Sequence, residues 1–308
     1  MKEYSSAFDY KNQRGSVVTI GTFDGVHIGH KAILKRVIDS AKKNDLDSAV
    51  LTFFPHPRMV VQKDSNIKLL NTLSEKKQLL EKTELDHLII HPFTQVFSRL
   101  TAVEYVRDIL VNQLNAKKII IGYDHRFGRN RTANIEDLRE FGNTYHFDVE
   151  EISAQELDDV AVSSTKIRNA LTSGDILTAN GFLGYNYVVS GTVVKGKAIG
   201  RTLNYPTANL KIVENYKLIP EKGIYITKAF LNEKIVYGMT SIGTNPTVGG
   251  TDRTIETFFL DFDGDLYGHR LDVVFHEKLR EEQRFDSLDA LQAAIKADFA
   301  AARAQWGL

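Results

Sequence analysis

His27 and His30 stand in the run Gly21-Thr22-Phe23-Asp24-Gly25-Val26-His27-Ile28-Gly29-His30, the most chemically suggestive stretch of the chain. Glycine lets a backbone approach a phosphate closely. Imidazoles can donate hydrogen bonds to phosphate oxygens while charge moves onto a departing pyrophosphate. Gly21, Phe23, Gly25, His27 and His30 are therefore candidate nucleotide contacts; the plainer reading is a tight turn with surface histidines. Farther on, Val162-Ser163-Ser164-Thr165-Lys166-Ile167-Arg168 puts hydroxyls and an arginine where a helix should begin. Ser and Thr there are ordinary caps, but Ser164, Thr165 and Arg168 with free N–H groups also describe a cradle for outer phosphates. Pro55-His56-Pro57 fixes a rigid loop after an apolar run. Asp124, Arg126 and Phe127 lie in a loop from Gly122 to Arg129 whose arginines suit phosphate and whose aromatics suit a planar ring. A loop histidine without duty and a plain solvated loop are the alternatives for these two segments.

Those residues need elements to hold them. Val17–Ile20 reads as a buried strand, and Ile33, Leu34, Val37, Ile38 and Ala41 then recur at helical spacing over 31–43. The histidines thus fall on a strand-to-helix turn, where open α/β sheets bind ligands and helix amino termini face anions. Strands follow at 48–53, 88–91, 118–121 and 147–152. Thr72/Glu75 and Thr101/Glu104 read as capping boxes, the second opening a helix to about 115, and 135–141 reads as a further helix. This β-α alternation predicts a parallel, doubly wound sheet. Near 185 the pattern changes to strand-like runs at 188–194, 224–231, 235–242, 254–262 and 271–275, separated by glycine and proline turns. They predict a small antiparallel barrel, closed by an amphipathic helix over 286–305 with Leu288, Leu291, Ile295 and Phe299 on one face.

With 308 residues the length suggests two domains, and 43% hydrophobic with 25% charged residues is ordinary for a globular protein. Lys+Arg and Asp+Glu balance at 39 each, which gives no electrostatic case for nucleic acid or an anionic membrane. The polar start lacks the apolar core of a signal peptide, and no apolar run is long enough to span a membrane. The absence of cysteine removes disulfides and thiolate metal sites. A cytoplasmic protein is the expectation.

The His-x-Gly-His turn resembles the nucleotidyltransferases that attack the α-phosphate of ATP. Followed by Ser-Ser-Thr-x-Ile-Arg, it resembles the adenylyltransferase half of the bacterial bifunctional riboflavin kinase/FAD synthetases. In the second half, Gly191-Thr192-Val193-Val194-Lys195-Gly196-Lys197-Ala198 nearly spells a P-loop, but Ala198 stands where Ser or Thr must meet magnesium and no helix follows. Its continuation, Ile199-Gly200-Arg201-Thr202-Leu203-Asn204-Tyr205-Pro206-Thr207-Ala208-Asn209, resembles instead the riboflavin kinase loop ending in Pro-Thr-Ala-Asn. Asn204 departs from the usual glycine there; asparagine tolerates positive φ, so the loop should survive. Asp261-Phe262-Asp263-Gly264-Asp265 opens like a calcium loop but fails at Leu266, and a hairpin turn is the better reading.

The resemblance implies an α/β doubly wound, Rossmann-like nucleotidyltransferase domain over 1–184, followed by a riboflavin kinase barrel with a C-terminal helix over 185–308. It implies phosphorylation of riboflavin to FMN, then adenylylation of FMN to FAD and pyrophosphate, with ATP as co-substrate and Mg²⁺ as cofactor. Riboflavin, FMN and ATP would be the partners, with downstream flavoproteins receiving the products. It assigns Gly191, Gly196, Lys197, Gly200, Arg201, Pro206, Thr207 and Asn209 to kinase ATP binding, with Thr207 and Asn209 also offering oxygens to the metal. Glu256 becomes the catalytic base, Arg284 and Phe285 border the kinase flavin, and Pro55, His56, Pro57, Asp124, Arg126 and Phe127 border the flavin of the other half. Phe258 replaces a histidine common in that family. A single retained activity and a non-catalytic flavin sensor remain the alternatives.

Overall fold

Apolar strands without alternation, joined by amphipathic helices, can bury both faces only in a parallel sheet covered on two sides. A computed structural model describes residues 1–62, 66–153, 162–196, 206–231, 234–247 and 250–308. The chain forms two compact units, Met1–Ser164 and Thr165–Leu308.

The first unit holds a six-stranded sheet in the order β1-β4-β3-β2-β5-β6, parallel throughout. Its strands are β1 (Lys2–Tyr4), β2 (Ser16–Ile20), β3 (Asp47–Phe54), β4 (His87–Pro92), β5 (Ala116–Gly122) and β6 (Asp148–Ile152). Every residue of β2 is buried. The chain leaves β2 through α1 (Ile28–Lys43) toward β3, and leaves β5 through α5 (Ile135–Tyr145) toward β6 on the other side. The strand order therefore reverses between β2 and β5, and that places a crevice at their carboxyl ends. Leu34, Val37, Ile38 and Ala41 of α1 are buried, as the spacing requires.

Both capping boxes form. At α3 (Leu73–Glu81), Thr72 N–H donates to Glu75 Oε2 at 2.8 Å and Glu75 N–H to Thr72 Oγ1 at 3.2 Å; Thr101 and Glu104 do the same at α4 (Ala102–Glu104). Beyond Glu104 the expected α-helix gives way to a π-helix over Tyr105–Val111. Its wider turn lets Tyr105, Val106, Ile109 and Leu110 all face the core. Two short elements carry no sequence signal. β1 is a three-residue edge strand, and α2 (Pro57–Val61) is a single turn capped by His56.

Helix α6 (Ser164–Thr172) starts on the last residue of the first unit and otherwise belongs to the second, followed by α7 (Ile176–Leu183). A closed antiparallel barrel follows in the order β10-β11-β8-β7-β12-β9, formed by β7 (Val188–Val194), β8 (Ala208–Lys211), β9 (Gly223–Leu231), β10 (Lys234–Thr247), β11 (Gly250–Phe259) and β12 (Arg270–Arg280). The four-residue β8, too short to show alternation, completes the closure. Thr227, Thr240 and Thr257 lie inside on neighbouring strands, their hydroxyls chained at 2.9 and 2.8 Å. Each hydroxyl can both donate and accept, so the ladder satisfies polar groups that no water reaches.

The terminal helix α8 (Leu288–Trp306) lays Phe299 on Phe258, with ring centroids 5.9 Å apart, and Trp306 on Tyr237 at 4.6 Å. Phe258, in place of the family histidine, thus serves as apolar seating for α8. Arg280 donates to both carboxylate oxygens of buried Asp298, at 2.8 and 2.7 Å, and ties α8 to β12. Removing one partner of such a pair strands the other charge. Asp298→Ala should destabilise the barrel unit by about 3 kcal/mol, read as an earlier urea transition in the Trp306 fluorescence.

Candidate active sites

At the end of β2 the backbone turns through conformations that most side chains avoid. Phe23 has φ 47°, Gly25 φ 91° and Val26 φ 39°. Gly25 takes this without penalty, whereas β-branched Val26 is strained and must be held. The holding groups surround it. The buried carboxylate of Asp24 accepts from Leu70 N–H at 2.9 Å and more weakly from Asn71 N–H at 3.4 Å. Thr52 Oγ1 donates to the Thr22 carbonyl at 3.2 Å, and Lys76 Nζ donates to the same oxygen at 2.7 Å. Ser164 Oγ donates to the Asp24 carbonyl at 2.9 Å, so the serine of the later motif lies on the histidine turn.

His27 is the N-cap of α1: its Nδ1 accepts from His30 N–H at 3.3 Å. The proton of a neutral His27 therefore sits on Nε2. The two imidazoles stack with centroids 3.6 Å apart and planes 18° from parallel, and Phe23 flanks His30 at 5.0 Å. Burial, with the charges of His27 and Lys76, holds the His30 pKa well below the ordinary histidine value. The His30 ring is thus neutral near pH 7, and its Nδ1 is buried without a hydrogen-bond partner among the described residues.

Phe53, Phe93, Phe97, Tyr105 and Phe127 form a continuous aromatic wall past the carboxyl ends of β3, β4 and β5, with successive centroids 5.5 to 6.0 Å apart. Phe127 is pinned by reciprocal backbone hydrogen bonds with Ala133 at 3.1 and 3.2 Å. Of the other expected flavin contacts, Pro55, Asp124 and Arg126 are exposed, His56 is buried and caps α2 by accepting from Arg58 N–H, and Pro57 is half-buried. Two wall-side polar atoms lack partners among the described residues, the Tyr105 hydroxyl and His125 Nε2. Burial raises the Tyr105 pKa and lowers that of His125 to about 4. Tyr105 could not be singled out from sequence because it reads as one more apolar helix position. Lys76 was hidden because a lysine after a capping box reads as solvated.

In the barrel, period two decides which face Glu256 takes. Ile255, Thr257 and Phe259 point inward, so Glu256 points outward, with Asn209 directly beside it on β8 and Ser241 on β10. Thr207 Oγ1 donates to Glu256 Oε2 at 3.1 Å, and Glu256 is half-buried. Gly196 is needed nearby, since a Cβ there would lie 2.4 to 2.7 Å from the Asn209 side chain. Gly191 lies on β7 and exposed Pro206 precedes Thr207. Arg284 is exposed, and Phe285 takes the Arg280 guanidinium over its ring at 5.8 Å. Lys197, Gly200 and Arg201 lie outside the described residues. The structure thus brings Thr207, Asn209 and Glu256 together, with Gly196 behind them. Among the described residues no cluster of three His, Cys, Asp or Glu could hold a metal ion, and no helix is long and apolar enough to cross a membrane.

A parallel α/β unit with an imidazole-bearing turn, followed by a closed barrel with a carboxylate on its wall, defines a two-domain transferase. Comparison makes this specific. A family model described as FAD synthetase matches residues 9–166 and one described as riboflavin kinase matches 183–306. The bifunctional riboflavin kinase/FMN adenylyltransferase of Escherichia coli K12 is 38% identical over 96% of this chain and 94% of its own length. Its Pseudomonas fluorescens counterpart is 40% identical over 94% and 93%. A solved Streptococcus pneumoniae structure, described as a macrolide-efflux protein, is 30% identical and covers 98% of both chains with a TM-score of 0.89. The chain belongs to the bifunctional riboflavin kinase/FMN adenylyltransferase family.

His91 is also buried, with Nδ1 accepting from Ala7 N–H at 3.1 Å, and burial lowers its pKa. A histidine whose folded pKa is depressed takes up its proton first in the unfolded chain, near pH ~6.5. Stability contributed by His30, His91 and His125 is therefore present above that pH and lost as pH falls toward the folded values, about 4 for His125. The urea midpoint of the first unit should fall between pH 7 and pH 5, and His91→Asn should flatten that slope.

Proposed function

We propose that the Gly21–His30 turn catalyses adenylyl transfer and that Glu256 is the base of the kinase, in an enzyme of the cytoplasm whose functional halves span residues 1–184 and 185–308. The kinase step comes first. The 5′-hydroxyl of riboflavin attacks the γ-phosphorus of ATP, its bond to the bridging oxygen breaks, ADP departs, and Glu256 takes the hydroxyl proton. In the second step an FMN phosphate oxygen attacks the α-phosphorus of another ATP and pyrophosphate leaves. His27 and His30 stabilise the charge that develops there, while Ser164, Thr165 and Arg168 hold the outer phosphates. Neither step needs a covalent enzyme intermediate, because positioning and electrostatics suffice.

Flavin adenylylation would use the aromatic wall around Phe127, with Pro55, His56, Pro57, Asp124 and Arg126 at its margin. Kinase ATP would lie along Gly191, Gly196, Lys197, Gly200, Arg201 and Pro206, and Arg284 with Phe285 would border riboflavin. Thr207 and Asn209 are the residues to hold Mg²⁺. The sparse, neutral oxygen set suits an ion that keeps waters and takes its remaining ligands from phosphate. When bound, Mg²⁺ neutralises charge on the phosphate oxygens. What supports the whole reading is one kind of observation made twice: residues far apart in sequence meet as the motifs require, Ser164 on the Asp24 carbonyl and Thr207 on Glu256.

Single substitutions separate the halves. Glu256→Gln should lower FMN formation from riboflavin and Mg·ATP by about 100-fold or more while FAD still forms from supplied FMN. His30→Asn should do the reverse. Purified protein that consumes no ATP with either flavin, yet binds flavin, would mark a sensor instead, and loss of only one activity in the wild type would mark a single-function enzyme.

A further inference from the structure

Lys76 belongs to no motif, yet it is 5% exposed on α3 and directed into the base of the histidine turn. Its Nζ donates to the Thr22 carbonyl at 2.7 Å, an oxygen that also accepts from Thr52. Burying an ammonium is costly unless something requires it there. Anchoring the carbonyl alone needs only a neutral donor, and Thr52 already supplies one. Burial lowers the Lys76 pKa while the Asp24 carboxylate favours its charged form, and the Lys76 charge in turn disfavours protonation of His30.

We infer that Lys76 is a positioning residue for adenylyl transfer: its buried ammonium locks the Thr22 carbonyl, and with it the left-handed turn at Phe23–Val26, and lies as a fixed positive charge beneath the phosphate-facing histidines. This rests on the reading of that turn as the adenylyl-transfer site. Two consequences follow. The fixed charge favours anionic phosphate above the turn without depending on histidine protonation. It also opposes protonation of His30, whose imidazole then remains a neutral partner for phosphate and for its stacked neighbour His27. The rings against His30 are His27 and Phe23, and Lys76 acts on it through charge. Asp24 lies on the Lys76 side, its carboxylate already taken by Leu70 and Asn71 N–H groups.

Lys76→Met keeps length and packing but removes charge and donor. The inference expects FAD formation from FMN to lose at least tenfold in kcat, more than any change in the KM for FMN. FMN formation, measured on the same sample, should stay within twofold of wild type. It also expects the His30 imidazole to titrate at higher pH in ¹⁵N spectra, with the acid limb of the FAD-forming rate moving the same way. FAD formation within twofold of wild type would overturn it, as would a loss of rate with His30 titration unmoved, which is what mere loosening would give. Should the methionine variant fail to fold, the chain offers a second route because it has no native cysteine. Lys76→Cys can be alkylated in denaturant with 2-bromoethylamine, the thiolate displacing bromide to rebuild an ammonium of lysine length, and then refolded. Recovery of FAD formation with this reagent but not with 1-bromopropane supports the inference; equal recovery, or none with either, refutes it. His30→Asn is the companion control. If it leaves FAD formation intact, the site assignment itself is wrong, whatever Lys76 does.

Discussion

The first unit depends on keeping a short turn in a backbone conformation it would not choose. Phe23 and Val26 sit at positive φ, where a side chain crowds its own carbonyl. Each such residue costs on the order of 1–3 kcal/mol, so the turn persists only because the surroundings over-determine it. They do so from several directions: the amides of Leu70 and Asn71 on Asp24, Thr52 and Lys76 on Thr22, and Ser164 on the Asp24 carbonyl. With its backbone polar groups tied below, the turn holds the amino terminus of α1 and the paired imidazoles at the carboxyl end of β2, where the strand order reverses. A relaxed turn would keep the fold and misaim the histidines.

The barrel solves a different positioning problem. A general base, the role proposed for Glu256, must hold one place to within a fraction of an ångström, and a strand in a closed barrel has little freedom to slip, because a one-residue shift would turn every inner side chain outward. The buried ladder of Thr227, Thr240 and Thr257 makes that register costly to lose, since each hydroxyl would be left unsatisfied. Glu256 is the neighbour of Thr257, so the register of the core fixes the direction of the carboxylate. Asn209 of β8 is set by the same pairing, and Thr207, just before that strand, by its hydrogen bond to Glu256.

What could be read in advance follows from range. The buried strands β2, β3 and β5 and the capping boxes at Thr72 and Thr101 were legible because their signals are apolar runs or contacts within one turn. The ordered motifs around His27, Ser164, Thr207 and Glu256 were legible because the family resemblance carried them. The π-helix over Tyr105–Val111 was not, since its pattern differs from an α-helix by one residue in each turn. β1 and β8 were too short to alternate, and β1 draws its stability from pairing with β4, far along the chain. Lys76 escaped for the most instructive reason. A lysine three residues into a helix reads as solvent-facing, and only tertiary structure reveals that α3 turns it inward.

The two halves also differ in how each can obtain electrostatic stabilisation. Attack at an α-phosphorus brings an anionic phosphate up to a triphosphate whose non-bridging oxygens already share several negative charges, so such an enzyme must supply positive potential without offering a group that captures the attacking phosphate. In the proposed adenylyl-transfer site the amino terminus of α1, the neutral imidazole of His30 and a cation kept beneath the backbone would meet that demand. A buried lysine cannot form a direct pair with substrate, and its field, less screened than at the surface, still acts on the turn above. Transfer of a γ-phosphoryl group to an alcohol asks instead for a carboxylate near the nucleophile, a negative charge that would repel the phosphates if it were not spaced from them. The neutral hydroxyl of Thr207 and the amide of Asn209 lie beside Glu256, and in the proposed kinase site they would offer phosphate uncharged partners. On the proposed reading the two transfers place opposite requirements on local charge, which a single ATP site could not meet at once.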